Sequence, residues 1–271
     1  MTDTDKVFAG AIPEIYDRFL VPILFEPYAA DLAGRAVRLQ PREVLETAAG
    51  TGVLTRALAA RLPPSTRIVT TDLNQPMLDR ATAVQPTSAQ VTRRQADALD
   101  LPFADGSFDL VLCQFGAMFF PDKVRAYAEA HRVLRPGGHF LFSVWGGISE
   151  NEFADVLTAA LAKLLGQGAP DFLARTPHGY NDPARIQAEL KQAGFATVST
   201  DTVEHVSRAE SARDVAIAYC HGTPVRNEID ARFPGRLDEA TDFAAGALAR
   251  RFGAGAIAAR MQAHVLAAAR D

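Results

Sequence analysis

The sequence predicts an α/β fold, a doubly wound sheet that is largely parallel and carries helices on both faces. Three observations lead there. Short apolar runs alternate with helical patterns through the first half of the chain, the signature of βαβ units. The run FDLVLCQF, residues 108–115, is an apolar run of strand length broken only by Asp109 and Gln114, as expected for a strand buried on both faces. A glycine turn, Gly50-Thr51-Gly52, stands between the first strand and the first helix, and ligands of such sheets bind outside the carboxyl ends of the strands.

The elements follow in order. Residues 42–47 form a strand around Val44 and Leu45, and residues 53–62 a helix with Leu54, Leu58 and Leu62 on one face, stopped by Pro63-Pro64. Residues 67–73 are a second strand. Asn74 is placed to cap the next helix, which has Pro76 in its first turn. Residues 91–95 are a weaker third strand, and Asp105-Gly106-Ser107 turns the chain into the fourth, residues 108–115. Asp122 caps a helix whose stripe includes Tyr127 and Leu134; Pro136-Gly137-Gly138 ends it, and residues 139–145 are the fifth strand. In the second half, residues 149–152 (SENE) make a capping-box pattern before a helix containing Phe153, Leu157 and Leu161. Asp182-Pro183 opens another helix, which ends before Gly194. Residues 196–207 read as a strand. Ser211 and Asp214 open a helix that stops at Gly222, and residues 237–251 are helical. Residues 260–269 are ambiguous, because alanine favours helix while chain position favours a final strand.

Composition narrows the function. The 271 residues carry 28 Lys+Arg and 32 Asp+Glu, a net charge of −4, with 48% hydrophobic residues. A mildly acidic chain lacks the basic face that nucleic-acid binding needs, so no nucleic-acid partner is expected. No apolar run reaches the roughly 18 residues of a membrane span. The start, MTDTDKVF, has no basic region followed by an apolar stretch, so no signal peptide is expected. The two cysteines, Cys113 and Cys220, have no metal spacing and read as reduced thiols of a cytoplasmic protein, with no bound metal expected.

Chemistry is sought where each strand ends. After the first comes Glu46-Thr47-Ala48-Ala49-Gly50-Thr51-Gly52. A dinucleotide fingerprint needs a third glycine or alanine, and Thr55 stands there instead. Glu46 at the strand end repels a pyrophosphate and attracts an ammonium group. Asp72 ends the second strand about 20 residues beyond Gly52, where a carboxylate accepts from both ribose hydroxyls; the alternative, a plain helix cap, is already filled by Asn74. Asp97-Ala98 follows the third strand, where a carboxylate can take an adenine amino group or simply face water. Gln114-Phe115 ends the fourth, and an aromatic face there favours a sulfonium by cation–π attraction.

Together these pieces resemble the class I S-adenosylmethionine-dependent methyltransferases. The matching parts are the loop 46–52, Asp72, Asp97-Ala98, and the stretches LPFADGSFDLVLCQFG and HRVLRPGGHFLF. The last two look most like the ubiquinone/menaquinone-biosynthesis subgroup. The match is close over residues 41–145 and loose elsewhere. The resemblance implies a Rossmann-like seven-stranded sheet, mostly parallel with the last strand antiparallel, in which residues 196–207 and 260–269 are the final strands. It also implies S-adenosyl-L-methionine as cofactor. Glu46 would hold the methionine amino group, Ala48, Gly50 and Gly52 would line methionine and ribose, and Asp72 would bind the ribose. Leu73 and Met77 would lie against adenine, Asp97 and the Ala98 amide would meet its polar edge, and Gln114 and Phe115 would flank the methionine. Ala48 departs from the family, which often has glycine there.

Because a sulfonium is already activated, the protein chiefly aligns the acceptor and excludes water. The expected organisation is an N-terminal helical lid (1–40), a cofactor-binding core (41–148) and a C-terminal part (149–271) that completes the sheet and adds a helical cap. Tyr16, Phe19 and Tyr28 are lid candidates. His178, Tyr180 and His221 are the candidates for acceptor contact or catalysis, whereas His131 and His139 read as structural. The expected activity is methyl transfer to a small apolar or aromatic molecule. The alternatives are a catalytically silent S-adenosylmethionine-binding scaffold and an NAD-type oxidoreductase, the latter disfavoured by Thr55 and Glu46.

Overall fold

The computed structural model describes Phe8, residues 10–85 and residues 88–271. The remaining positions of the expected N-terminal lid, residues 1–7 and 9, lie outside the described residues. Seven strands, β1 (Glu43–Glu46), β2 (Arg67–Asp72), β3 (Val91–Gln95), β4 (Phe108–Gln114), β5 (Leu134–Trp145), β6 (Thr197–Ala209) and β7 (Ile257–Ala269), form one sheet in the order β3-β2-β1-β4-β5-β7-β6. β1 pairs in parallel with β2 and β4, β2 with β3, and β4 with β5. β7 runs the other way. The Gly137 N–H donates to Arg270 O and the Gly146 N–H to Gln262 O, so positions on β7 fall as those on β5 rise. The same reversal sets β7 against β6, where Thr202 meets His264 and Glu204 meets Gln262.

The strand expected at 196–207 is present as β6, and the ambiguous segment 260–269 is also a strand, β7, which begins three residues before the expected start. Its alanines favour helix. What decides for a strand is its place between β5 and β6, where Ala259, Met261, Ala263 and Val265 are buried at every second position.

The residues fall into two units. One takes residues 27–144, 182–203 and 263–271. Its core on one sheet face joins Val44, Ile68, Leu110, Leu112 and Leu141 to Leu32 and Ala36 of the helix Glu26–Arg38, and to Leu54 and Leu58 of the helix Val53–Ala59. Phe140 and Phe142 flank Leu141 on β5, so the pleat turns them to the opposite face. There they pack with Tyr127 of the helix Lys123–Val133 and with Phe195. This is the double winding the apolar alternation predicts.

The other unit takes residues through Glu26, Trp145–Asn181 and Glu204–Gln262. It is mainly helical: Glu152–Leu165, Val225–Arg232 and Leu237–Phe252 pack with Ala212–Gly222, which in turn packs on an N-terminal π-helix, Tyr16–Phe25. Pro22 lies inside that π-helix and contributes no N–H, while the Glu26 N–H reaches back five residues to Val21 O.

Several local expectations are corrected. The 149–152 pattern forms no capping box: Ser149 bonds Glu150, and Asn151 instead donates to the carbonyls of Gly146, Gly147 and Gln262. Asn74 sits at the helix start but makes no side-chain capping bond. Pro136-Gly137-Gly138 lies inside β5, which begins directly after the helix at Leu134. The helices Phe172–Arg175 and Val225–Arg232 have no counterpart in the sequence reading; the latter is short, and its apolar stripe is nearly confined to Val225 and Ile229. Asp122, Asp182 and Ser211 cap their helices, by way of the N–H groups of Arg125, Ala184 and Asp214 respectively.

Candidate cofactor site

The residues singled out after β1, β2, β3 and β4 all belong to the sheet-centred unit. β1 delivers Glu46 at its carboxyl end, 1% exposed. Its Oε2 accepts a 2.5 Å hydrogen bond from Thr55 Oγ1 on the following helix. Burial is the main influence on Glu46 and raises it from the ordinary 4.5 to about 8, opposed by the Thr55 hydroxyl and by the nearby Arg56 and Arg93. Free Glu46 is therefore largely protonated at neutral pH, and a cation arriving beside it favours ionisation.

The loop that follows is a run of left-handed residues: Ala48 (φ 52°), Gly50 (φ 56°) and Gly52 (φ 83°). Ala48, the departure from the family pattern, thus takes the backbone that glycine takes without penalty. Space explains why its methyl is tolerated. The chain passes Ala48 at Gly116, and a Cβ on Gly116 would overlap the Ala48 methyl and stand 2.8 Å from Cys113 Sγ. A glycine at 116 makes room for an alanine at 48.

Asp72 ends β2 with both oxygens engaged by the backbone: Oδ2 accepts from Gly50 N–H at 2.9 Å and Oδ1 from Asn74 N–H at 2.8 Å. It is buried, and burial pushes its pKa up despite these bonds. Asn74 makes no capping bond of its own; instead its N–H is held by Asp72. Oδ1 also accepts from Asn74 Nδ2 at 3.5 Å, so the less engaged oxygen is Oδ2. The backbone bonds aim the carboxylate and tie the glycine loop to β2.

The remaining predicted residues differ in exposure. Leu73 is 45% exposed at the end of β2 whereas Met77 is buried in the next helix. Asp97 is exposed after β3 and accepts from Leu99 N–H at 2.9 Å, with Ala98 half-buried beside it. Gln114 ends β4 opposite Ser143 of β5, and Phe115 turns away with φ 52° while its N–H donates to Ser143 O. The Phe115 ring meets Tyr28 edge-on at 5.2 Å.

The other candidates belong to the helical unit, except Tyr28. His178 is buried, and its Nδ1 lies 2.9 Å from Gly146 O. A carbonyl only accepts, so Nδ1 carries the proton and Nε2 is an acceptor. Burial holds His178 down at about 4, so it is neutral at physiological pH. Tyr180 is buried. His221 Nε2 is 2.9 Å from Thr241 Oγ1, whose own proton goes to Leu237 O, so His221 is a donor that ties the helix Ala212–Gly222 to the helix Leu237–Phe252. Tyr16 stacks on Phe25 at 5.1 Å, and Phe19 lies under Arg18. His131 packs edge-on against Phe195, in keeping with a structural role. Among the described residues no group of His, Cys, Asp and Glu is arranged to hold a metal, and no helix is long and apolar enough to cross a membrane.

Thr55 has a partner that sequence reasoning missed. It entered as a mismatch to a dinucleotide pattern, and the structure shows it as the hydrogen-bond donor to Glu46. The available signal was a hydroxyl on the buried face of the first helix, beside Leu54 and Leu58.

Residues 45–142 match the family described as Methyltransferase domain. A demethylmenaquinone methyltransferase from Deinococcus radiodurans is 34% identical over 205 residues, 71% of this chain and 84% of the relative. The ubiquinone/menaquinone biosynthesis C-methyltransferase UbiE of Pseudomonas aeruginosa is 31% identical over 208 residues, 72% of this chain and 76% of the relative. In fold, the chain is similar to phosphoethanolamine N-methyltransferase 2 of Haemonchus contortus, solved with S-adenosyl-L-methionine, at a TM-score of 0.58 and 15% identity over 95% of this chain and 56% of the other. The donor set suits that cofactor: a buried carboxylate for an ammonium, a backbone-aimed carboxylate for a diol, and a left-handed glycine loop between them. The chain belongs to the class I S-adenosylmethionine-dependent methyltransferases, of the ubiquinone/menaquinone type.

Proposed function

We propose that this methyltransferase moves the methyl group to a ring carbon of a small, apolar, hydroxylated aromatic acceptor of the quinol class. The observation that carries the reading is a row of rings within the helical unit. Phe8, Tyr16, Phe25, Trp145 and His178 follow one another at centroid distances of 6.1, 5.1, 5.9 and 5.9 Å. Such a row favours a flat apolar ligand. It ends on a neutral imidazole whose Nε2 is free of a proton and can accept from a hydroxyl. The names of the two relatives, both tied to quinone biosynthesis, agree with this.

On this reading Glu46 holds the cofactor's ammonium group, Asp72 its ribose hydroxyls, and Gly50 and Gly52 let the backbone approach. Leu73, Met77, Asp97 and Ala98 serve the adenine, and Gln114 and Phe115 the methionine part. S-adenosylmethionine, when bound, supplies a methyl group on a sulfonium that is already activated. The chain then has to orient the nucleophilic carbon and keep water out, and His178 accepts a hydrogen bond from the acceptor's hydroxyl.

The test is turnover with a panel of acceptors: a short-chain demethylnaphthoquinol, a catechol and phosphoethanolamine. The expected result is one added methyl on a ring carbon of the naphthoquinol, located by mass spectrometry and NMR. Methylation confined to phosphoethanolamine would overturn the acceptor class. The N-terminal segment is best probed by point substitution, because Leu20, Ile23, Leu24 and Tyr28 are buried and a deletion would remove core. Tyr16→Ala is expected to lower naphthoquinol turnover while cofactor affinity stays within about twofold.

Two binding experiments probe the cofactor roles. S-adenosylhomocysteine at 100 times its dissociation constant is expected to stabilise the protein by about 2.7 kcal/mol in a thermal melt, and NAD or NADP to leave the melt unmoved. Stabilisation by NAD alone would count against the reading. Asp72→Ala is expected to cost about 1.5–3 kcal/mol of S-adenosylhomocysteine affinity, as loss of a charged acceptor does. An unchanged affinity in a folded variant would remove Asp72 from the ribose site.

A further inference from the structure

We propose that Thr55 is a positioning residue for cofactor capture: its hydroxyl fixes one carboxylate oxygen of Glu46 so that the other meets the ammonium group of S-adenosylmethionine. The proposal rests on the reading of Glu46 as the ammonium partner.

The geometry is specific. Thr55 and Glu46 are each 1% exposed, and the hydroxyl reaches Oε2 at 2.5 Å. A helical threonine commonly spends its proton on the carbonyl four residues back. Here that carbonyl, Thr51 O, is taken by Arg56 Nη1 at 2.7 Å. With Arg56 on the carbonyl, the Thr55 proton goes to Glu46. The β-branched side chain has little rotamer freedom in a helix, so the hydroxyl is held in place before any ligand arrives. The glycine turn is part of the same arrangement. A Cβ on Gly52 would lie 3.6 Å from Thr55 Oγ1 and 3.4 Å from Ala81 Cβ, so the loop passes close over the threonine. Glu46 can then neither rotate freely nor turn both oxygens to one ligand. It presents a single oxygen, which matches a compact point charge better than a forked guanidinium.

The hydroxyl also acts on the charge of Glu46. A donor to a carboxylate favours its ionised form, and binding an ammonium requires that form. The charged and titratable groups facing Glu46 are Arg56 on the helix, Asp72 on β2, Arg93 on β3 and Cys113 on β4. Arg56 and Arg93 favour ionisation and Asp72 opposes it. Cys113, pushed up to about 12 by burial, stays a neutral thiol. Removing the Thr55 hydroxyl leaves the burial of Glu46 unopposed by its hydrogen-bond donor, so ionisation moves to higher pH.

The experiment is calorimetric titration of the full chain with S-adenosylhomocysteine from about pH 6 to pH 9, for wild type, Thr55→Ser, Thr55→Val and Glu46→Gln. Wild-type affinity is expected to rise with pH until Glu46 is ionised near pH 8 and to level off there. Thr55→Ser keeps the donor and should follow wild type within about threefold. Thr55→Val should bind about tenfold or more weakly at neutral pH, with its rise displaced to higher pH so that the deficit narrows by pH 9. Should the valine variant fail to fold, Thr55→Ala removes the same donor and carries the same expectation. A valine or alanine variant that binds like wild type at every pH overturns the proposal. So does a loss that is equal at every pH and shared by Thr55→Ser, which would mark a packing role. Glu46→Gln separates the two levels: unchanged affinity there overturns the ammonium reading itself, whereas a large loss there with a silent Thr55→Val overturns only the role of Thr55.

Discussion

Replacing Glu46 by glutamine is expected to lower S-adenosylhomocysteine affinity about a hundredfold at pH 8 and at the same time to stabilise the ligand-free protein at alkaline pH. The first effect is the loss of a buried charge partner for the ammonium group, at the upper end of what a charged hydrogen bond contributes. The second follows from linkage. Glu46 titrates near 8 in the folded chain against an ordinary 4.5. The folded state thus keeps a proton that the unfolded state gives up. The associated stability is fully present below pH 4.5 and is lost as pH rises through about 8. The full difference is on the order of 3–5 kcal/mol. Glutamine cannot ionise, yet its amide oxygen can still accept from Thr55. The variant should therefore show a flatter melting temperature between pH 5 and pH 9 and melt above wild type at the alkaline end. With ligand present the order should reverse, because only wild type gains from binding. A melting difference that does not change with pH would refute the buried-carboxylate account.

Gly116→Ala is expected to be the most damaging single-methyl change near the site. The new Cβ would overlap the Ala48 methyl and press on Cys113 Sγ. Overpacking of this kind costs about 1–3 kcal/mol. Because Ala48 already holds a left-handed backbone, the loop has no easy direction in which to yield, and residues 46–52 should shift. Denaturant unfolding should show the lost stability, and titration a weaker S-adenosylhomocysteine. Ala48→Gly alone should leave binding intact and relieve about 1 kcal/mol of left-handed strain. The double variant, Ala48→Gly with Gly116→Ala, moves the methyl from one side of the contact to the other and should recover most of the lost affinity. A double variant no better than Gly116→Ala would show that the damage runs through Cys113 instead.

The parts of this protein that the sequence determines by itself are those whose physics is local or periodic. The stretch FDLVLCQF needed no partner to be read as a buried strand, because only a doubly covered strand tolerates such a run. Glu46 and Asp72 were legible as candidates because they end β1 and β2, and in such sheets ligands bind outside the carboxyl ends of the strands. Asp122 and Asp182 announced their helices through side chains that reach only two or three residues ahead.

The tertiary structure alone decided what depends on distant neighbours. Residues 257–269 became β7 because β5 and β6 offer partners on both edges, outweighing the helix preference of alanine. Asp72 holds the N–H of Gly50 with one oxygen and that of Asn74 with the other, contacts that appear only when the loop has folded against the end of β2. His178 is neutral because it is buried, and its tautomer is set by Gly146, 32 positions earlier, whose carbonyl accepts a hydrogen bond from Nδ1. Ala48 stands where glycine is usual because Gly116, far along the chain, leaves it space. Thr55 became the partner of Glu46 once the helix Val53–Ala59 packed on the end of β1. Propensity and pattern act over a few residues, whereas burial, charge state and close packing are set by atoms that meet only when the chain has folded.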